Sequence, residues 1–221
     1  MPVHQHNSTS AHQHTKMIRL IAKLLLWFGR WNIDDKLKEM MPEKSIMIAV
    51  PHTSNWDYPY ARAVFYEMGI PLKFTIKDKY TKGLWGLIFR PMGAIGIDRR
   101  PKDDTGRKLS YTEAMINIIK EYEGQLCVIV TPEGTRKRVE EWKTGFYYAA
   151  KGAGVPIVCG YLDYTTRKGG AGKILYPSDD MDADMREIMD FYKGFDGKYP
   201  ELCAMDRRWA PERNEVASAE I

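Results

Sequence analysis

The sequence has few cysteines and no long apolar run, and each of these absences excludes a class of protein. Only three of its 221 residues are cysteines, and an odd number at isolated positions predicts neither a disulfide framework nor a zinc site. No apolar run reaches the ~20 residues that a bilayer-spanning helix needs, which excludes a multi-span membrane protein. Basic residues outnumber acidic ones by only 33 to 29, an excess too small to indicate nucleic-acid binding.

Histidine is also scarce in the part of the chain that we expect to fold. Four of the five histidines lie within residues 1–15, a polar and aperiodic stretch that predicts a disordered tail without a native metal site. His52 is therefore the single histidine of the predicted folded body. Two cysteines, Cys127 and Cys159, fall within short apolar runs, which is typical of reduced thiols in a protein core.

Residues 16–40 begin with an amphipathic pattern. Apolar residues recur there at helical spacing, and basic residues share the opposite side. The two sets are Ile18, Ile21, Leu25 and Phe28, and Arg19, Lys23 and Arg30. The apolar part predicts a helix of about 22 Å, which is too short to span a bilayer. Two interpretations stay open: a helix that lies in the membrane interface, and a helix packed on the core.

After this segment, short apolar runs alternate with helical stretches, which predicts an α/β fold. We expect a single domain with a mixed, mostly parallel sheet flanked by helices and preceded by the amphipathic helix. The predicted strands are 46–50, 72–76, 94–97, 126–130, 155–160 and 173–176. The predicted helices are 58–68, 110–123, 146–151 and 182–192. Residues 169–173 indicate a flexible hairpin or loop, and the chain after 192 indicates a loosely packed end.

His52 follows the predicted strand 46–50, at the position where α/β folds place their ligands. Asp57 lies five positions later, and a turn between the two lets the carboxylate fold back on the imidazole. Such a contact orients the ring and stabilises the imidazolium that forms when the ring accepts a proton. A side chain among residues 53–55 can cap the following helix, and the amides there are candidate oxyanion donors. A capping cluster with an incidental histidine is the alternative interpretation.

Other charged residues also follow predicted strands. Glu133 and Arg136 come directly after one strand, where Glu133 can accept a hydrogen bond from a hydroxyl or pair with Arg136. Arginine makes bidentate contacts with phosphate, so this turn is a candidate anion site. Arg99 follows a second strand and Lys77 lies at the end of a third. Charged turns that only face solvent are the alternative at each place.

Four short blocks stand in a fixed order along the chain. They are His52–Asp57, Gly93–Arg99, Pro132–Arg136 and Val155–Val158. They match a His-x4-Asp box, a Gly-to-Arg block, a Pro-Glu-Gly-Thr-Arg block and a Val-Pro-Ile-Val block. In these blocks, which span half of the chain, the sequence resembles the glycerophospholipid acyltransferase family. It departs from the family's pattern at three positions: Pro51, where asparagine is frequent, Gly96, where an aromatic residue is usual, and Cys159, where proline is usual.

The resemblance implies transfer of a fatty acyl group from an acyl thioester to the free hydroxyl of a lysophospholipid. The implied acceptor is 1-acyl-sn-glycerol-3-phosphate, which gives phosphatidate, and the implied donor is acyl-coenzyme A or acyl carrier protein. His52 is then the general base and Asp57 orients it. The residues implied to bind the substrate are Lys77, Arg99, Glu133, Gly134, Thr135 and Arg136. No metal or further cofactor is implied.

The resemblance also sets expectations for domains, partners and location. Residues 1–15 form a tail, 16–40 a membrane-associating helix and 41–221 the acyltransferase domain. The expected partners are a membrane surface, a lysolipid and an acyl thioester donor, with no nucleic acid. The expected location is peripheral, on the cytoplasmic face of a membrane. Two alternatives remain: an acyltransferase acting on another lysolipid, such as a lyso-aminolipid, and a non-catalytic lipid-binding relative.

Overall fold

A seven-stranded sheet lies at the centre of the structure, a computed structural model that describes residues 8–99 and 107–210. In chain order its strands are β1 (Asn32–Asp34), β2 (Lys44–Ala49), β3 (Leu72–Lys77), β4 (Ala94–Ile97), β5 (Leu126–Val130), β6 (Ile157–Asp163) and β7 (Lys168–Leu175). The helices are α1 (Ser8–Phe28), α2 (Asp57–Glu67), α3 (Gly83–Phe89), α4 (Tyr111–Glu121), α5 (Gly145–Ala153) and α6 (Met181–Tyr192).

The strand order is β1-β7-β6-β2-β5-β3-β4, and the neighbouring strands are parallel except β6 and β7. The prediction of a mixed, mostly parallel sheet within one α/β domain is thus confirmed. In the centre, Ile48 of β2 lies opposite Val130 of β5 and Cys159 of β6. Parallel neighbours end at the same edge of a sheet. The loops after β6, β2, β5 and β3 therefore emerge side by side.

Alternate residues of the central strands face two separate cores, one on each side of the sheet. Ile46 and Ile48 pack with buried residues of α4, α5 and α6 on one side. Met47 between them packs with buried residues of α1 and α2 on the other side. Strands covered on both faces have continuous apolar sequences instead of alternating ones. This explains why β5, with the sequence LCVIV, was predicted with its correct bounds.

Helix α1 packs on the sheet along one side and is exposed along another. Ala22 and Leu26 are buried against the core that contains α2. Leu20, Trp27 and Phe28 are more than half exposed. The helix ends at Phe28, well before residue 40, and residues 8–15 belong to it, whereas residues 1–7 lie outside the described residues. Both open interpretations of this helix thus keep a physical basis, and its membrane contact stays a prediction.

Across residues 8–99 and 107–210, no helix combines the length and the apolar character that a transmembrane span requires.

Residues 169–173 belong to β7, which pairs antiparallel with β6, so of the predicted hairpin and loop the hairpin is correct and the flexible loop is wrong. A Cβ at Gly170 would lie 2.2 Å from the carbonyl oxygen of Asp34 in β1. A Cβ at Gly169 would lie 2.7 Å from the side chain of Leu162 in β6. These glycines allow neighbouring strands to pack closely. In the sequence, a run of glycines is also typical of a flexible loop, so the two cases look alike.

The predicted loosely packed end is also wrong for the described residues up to 210. Asp206 is fully buried and accepts a hydrogen bond from the backbone N–H of Trp142 at 2.7 Å. Arg208 donates from Nη2 to the same carboxylate at 2.7 Å. Burial favours the neutral form of Asp206, but these hydrogen bonds outweigh it and lower the pKa of its carboxyl. A paired charge of this kind lets a polar segment pack inside the protein.

Cys127 and Cys159 are buried, as predicted for core thiols, and Cys203 is buried as well. Burial raises the pKa of Cys127 and of Cys159 to about 12. Both thiols therefore stay protonated at neutral pH and serve as core side chains.

Candidate active site

His52 lies in the loop between β2 and α2 and is held from two directions. Its Nδ1 lies 3.0 Å from Oδ2 of Asp57. Its backbone N–H donates to Oε2 of Glu133 at 2.9 Å. The imidazole is 23% exposed and the Asp57 side chain 10% exposed, so the pair is shielded but reachable. With Nδ1 on the carboxylate, Nε2 is the ring nitrogen left to accept a proton from a bound molecule.

The carboxylate of Asp57 holds the whole loop together. Its Oδ2 accepts the backbone N–H groups of Thr53 at 2.9 Å and Ser54 at 2.8 Å. Its Oδ1 accepts the hydroxyl of Tyr164 at 2.7 Å. Each oxygen is thus fixed by donors, so the carboxylate has one orientation in which to meet His52.

This arrangement corrects two expectations about residues 53–55. The N-cap of α2 is Trp56, and no side chain caps the helix there. The Ser54 amide, a candidate oxyanion donor from the sequence, donates to Asp57 instead. The physical reason is that a carboxylate in the first turn of a helix is the strongest acceptor near these amides.

Glu133 is buried, and its carboxyl group accepts the backbone N–H of His52. Burial raises the pKa of Glu133 to about 8, and the neighbouring charge of Asp57 adds to this, while the hydrogen bond from the His52 amide opposes it. Glu133 is therefore protonated at neutral pH, and Asp57 carries the negative charge beside the imidazole. The structure thus assigns Glu133 a different contact from the hydroxyl or Arg136 that the sequence suggested.

Two cavities of unlike character meet at His52. The first has a volume of about 810 Å³ and a mainly apolar lining that includes Phe65, Phe74, Met115 and Phe146. The second has a volume of about 740 Å³ and a lining that includes Arg136, Lys137 and Lys198. His52 and Thr131 line both cavities. A ligand with an apolar chain and an anionic group can therefore lie across the imidazole.

The predicted substrate residues after β5 reach the polar cavity. Gly134, Thr135 and Arg136 all line it. Gly134 has a φ of +64°, and a Cβ there would lie 2.7 Å from Nζ of Lys143. The glycine allows the turn that brings Arg136 to the same side of the sheet as His52.

Lys77 and Arg99 lie farther along the same edge, at the ends of β3 and β4. Both are exposed. Arg99 donates from Nε to the carbonyl oxygen of Leu109 at 3.0 Å. Among the described residues that line the two cavities, neither of them occurs. The structure therefore does not bring them together with His52, and their substrate role stays a prediction.

Sequence reasoning missed two residues of the site. Tyr164 lies 107 positions from Asp57 in the chain, directly after β6, and Lys198 lies in the segment after α6. The predicted strand 155–160 ends four residues before Tyr164, so the sequence did not mark Tyr164 as a strand-end residue. No signal marked Lys198 either, because it reaches the polar cavity from an irregular segment.

In the part of the chain that the structure describes, no group of three or more histidine, cysteine and acidic side chains is arranged to hold a metal ion.

Residues 32–162, more than half of the chain, match the family model described as Acyltransferase. The matched region runs from β1 to β6 and contains His52, Asp57 and Glu133. No curated protein matches the chain, and no solved structure does.

Proposed function

The chain belongs to the acyltransferase family, and we propose that it transfers a fatty acyl group from an acyl thioester to the free hydroxyl of a lysophospholipid. The proposed acceptor is 1-acyl-sn-glycerol-3-phosphate. The observation that carries the proposal is the His52–Asp57 contact of 3.0 Å at the junction of an apolar and a cationic cavity.

In the proposed reaction His52 is the general base. Nε2 takes the proton of the acceptor hydroxyl as its oxygen attacks the thioester carbonyl. Asp57 fixes the ring through Nδ1 and stabilises the imidazolium. The carbon–sulfur bond then breaks, and the leaving sulfur receives the proton from His52. The acceptor hydroxyl is itself the nucleophile, so this scheme needs no acyl-enzyme intermediate.

The two cavities suit the two kinds of group that the substrates contain, a fatty acyl chain and a phosphate. The apolar cavity, with its aromatic and methionine lining, suits a fatty acyl chain. The polar cavity contains Arg136, Lys137 and Lys198, three cations that suit a phosphate group. Arginine and lysine both bind phosphate, and arginine does so with two parallel hydrogen bonds. A hydroxyl on the glycerol between chain and phosphate then meets His52.

The test is an activity panel with purified full-length protein. Acyl-coenzyme A and acyl carrier protein thioesters serve as donors, and lysophosphatidate, lysophosphatidylcholine and a lyso-aminolipid serve as acceptors. We expect the highest kcat/KM with lysophosphatidate. A higher kcat/KM with a lyso-aminolipid would show that the acceptor is a lyso-aminolipid instead of lysophosphatidate. No transfer with any pair of donor and acceptor would contradict the proposed function.

Arg136→Ala tests whether the phosphate lies in the polar cavity. Because the guanidinium makes a charge-assisted contact only with the acceptor, we expect the KM for lysophosphatidate to rise about tenfold or more. The KM for the thioester should change much less. The control is Arg186→Ala, which removes an exposed arginine of α6 outside the described lining of this cavity. An acceptor KM that stays unchanged would mean that the phosphate binds elsewhere.

A further inference from the structure

Helix α3 presents its large apolar side chains to solvent. Four of them lie within positions 84–88 and are mostly exposed. Their exposed fractions are 78% for Leu84, 56% for Trp85, 73% for Leu87 and 52% for Ile88. The buried residue among them is Gly86, and a Cβ added there would lie 2.5 Å from the carbonyl oxygen of Thr81. Single exposed apolar residues are common, but four together form a patch that marks an interaction site.

The turn before α3 is packed closely on the sheet. Residues Asp78–Thr81 form a short 3-10 helix over Gly96 of β4. A Cβ at Gly96 would lie 2.5 Å from Oγ1 of Thr81. Gly96 stands where the acyltransferase family usually has an aromatic residue. Because it has no side chain, the turn can pack directly on β4. The apolar patch therefore lies on a helix whose preceding turn is packed closely on the sheet.

The chain after α3 connects the patch to the apolar cavity. Phe89, the last residue of the helix, and Met92 both line that cavity. Helix α2 fixes the loop between them. Tyr58 donates its hydroxyl to the carbonyl oxygen of Met92 at 2.6 Å, and Arg62 donates from Nη2 to that of Pro91 at 2.7 Å. One wall of the cavity thus continues directly into the exposed helix.

Basic side chains surround the patch. Residues 77–90 contain four basic residues and one acidic residue. Lys79, Lys82 and Arg90 are exposed, and Lys82 forms an ion pair with Asp78. An exposed tryptophan, leucine and isoleucine set among cations is the composition of an element that lies in an anionic membrane interface.

We propose that α3 docks the protein on an anionic bilayer, with its four exposed apolar side chains in the lipid and the basic residues of 77–90 at the head groups. Phe89 then lies where an acyl chain passes between the bilayer and the apolar cavity. This docking surface is distinct from α1. The inference rests on the proposed function for the identity of the cavity's ligand, but the docking itself does not depend on turnover.

The experiment measures partition of the full-length protein onto vesicles that contain neither lysolipid nor thioester. The vesicles consist of phosphatidylcholine, alone or mixed with phosphatidylglycerol. Leu84→Glu and Leu84→Ser each remove one apolar side chain from the patch. We expect each to lower the partition coefficient at least about tenfold, which corresponds to one leucine withdrawn from lipid. Admixture of phosphatidylglycerol should raise wild-type binding, and added salt should reduce that gain.

The matched control is Tyr176→Glu. Tyr176 is 69% exposed and follows β7, which runs against its neighbour β6 and so ends at the opposite edge of the sheet. The control adds the same charge as Leu84→Glu and should leave binding unchanged. Leu20→Glu reports on α1 in the same assay. Wild-type binding by both Leu84 variants, or an equal loss in Tyr176→Glu, would overturn the proposal.

Circular dichroism and turnover of a short-chain, monomeric lysophosphatidate show whether the Leu84 variants keep their fold and site. We expect wild-type values in both measurements, because Leu84 does not line the described cavities. Should the Leu84 variants unfold, Leu87→Ser repeats the test. Should wild-type protein show no turnover at all, the proposed function fails while the vesicle measurement still decides the docking surface.

Discussion

At the residue scale, the carboxylate of Asp57 joins the start of α2 to two other parts of the chain. It contacts His52, the amides that follow it, and the hydroxyl of Tyr164 after β6. Burial, together with the hydrogen bond to Asp57 and its charge, raises the pKa of Tyr164 above its usual value. Tyr164 therefore stays protonated and donates to Asp57, so it acts as a positioning residue for the acid that orients His52.

Tyr164→Phe should lower kcat about fivefold with little change in either KM. The reason is the loss of one hydrogen bond of about 1 kcal/mol that fixes Asp57 and contacts no substrate. Steady-state kinetics measure the two parameters separately. The matched control is Tyr147→Phe, which removes a hydroxyl bonded to Asp184 at 2.7 Å, outside the described cavity linings. Equal kinetic effects of the two changes would contradict a positioning role for Tyr164.

At the scale of elements, the sequence predicted those that bury apolar side chains in regular patterns. Strands β4 and β5 have the predicted bounds. Helix α4 lies within the predicted 110–123, and Ser110 is its N-cap. Two elements with a different basis were missed: α3, which turns its apolar residues to solvent, and β1, which has three residues. Strand β7 was predicted only in its last part, as 173–176, because its first part contains glycines that pack between strands.

The site was predictable as far as it is local in the chain. His52 lies in the loop after β2 and Asp57 begins α2 five positions later, and the apolar pattern reveals the strand that precedes both. The contact of Glu133 with the His52 amide joins residues 81 positions apart. Such a contact depends on which strands are neighbours, and the apolar pattern does not contain the strand order. The same reason hid the contact of Tyr164 with Asp57, whereas Lys198 was missed because it lies in an irregular segment.

Ser110→Ala tests the start of α4, the helix that brings Met115 to the apolar cavity. Ser110 accepts the Glu113 amide at 3.1 Å, and the Glu113 carboxylate accepts the Ser110 amide at 2.7 Å. Losing this capping box should lower stability by about 1 kcal/mol, or about 2–4 °C in Tm. Thermal unfolding of Ser110→Ala, Glu113→Ala and the double variant measures the coupling. Strictly additive losses would show that the two contacts do not act together.

For the whole molecule, the buried Glu133 makes stability depend on pH. Its pKa of about 8 in the folded protein exceeds the ~4.3 of an unfolded glutamate. Between these values the folded state retains a proton that the unfolded state has lost. The contribution of Glu133 to the free energy of unfolding therefore falls as pH rises from about 4.3 to about 8.

Glu133→Gln should flatten this decline, because the amide keeps an oxygen to accept the His52 N–H but carries no ionisable proton. Urea unfolding at several pH values between about 5 and 8 measures how steeply the free energy of unfolding changes with pH. Glu123→Gln, a change at an exposed glutamate, should keep the wild-type slope. An unchanged slope in Glu133→Gln would mean that Glu133 is ionised in the folded protein at neutral pH.

The most direct measurement for the molecule as an acyltransferase is the turnover of His52→Ala. Wild-type and variant protein are compared with the best donor and acceptor of the panel, after circular dichroism has shown the same fold. Because the variant has no base for the acceptor hydroxyl, we expect kcat to fall at least about 100-fold. A folded His52→Ala protein with near wild-type kcat would contradict the central claim that His52, oriented by Asp57, activates the acceptor.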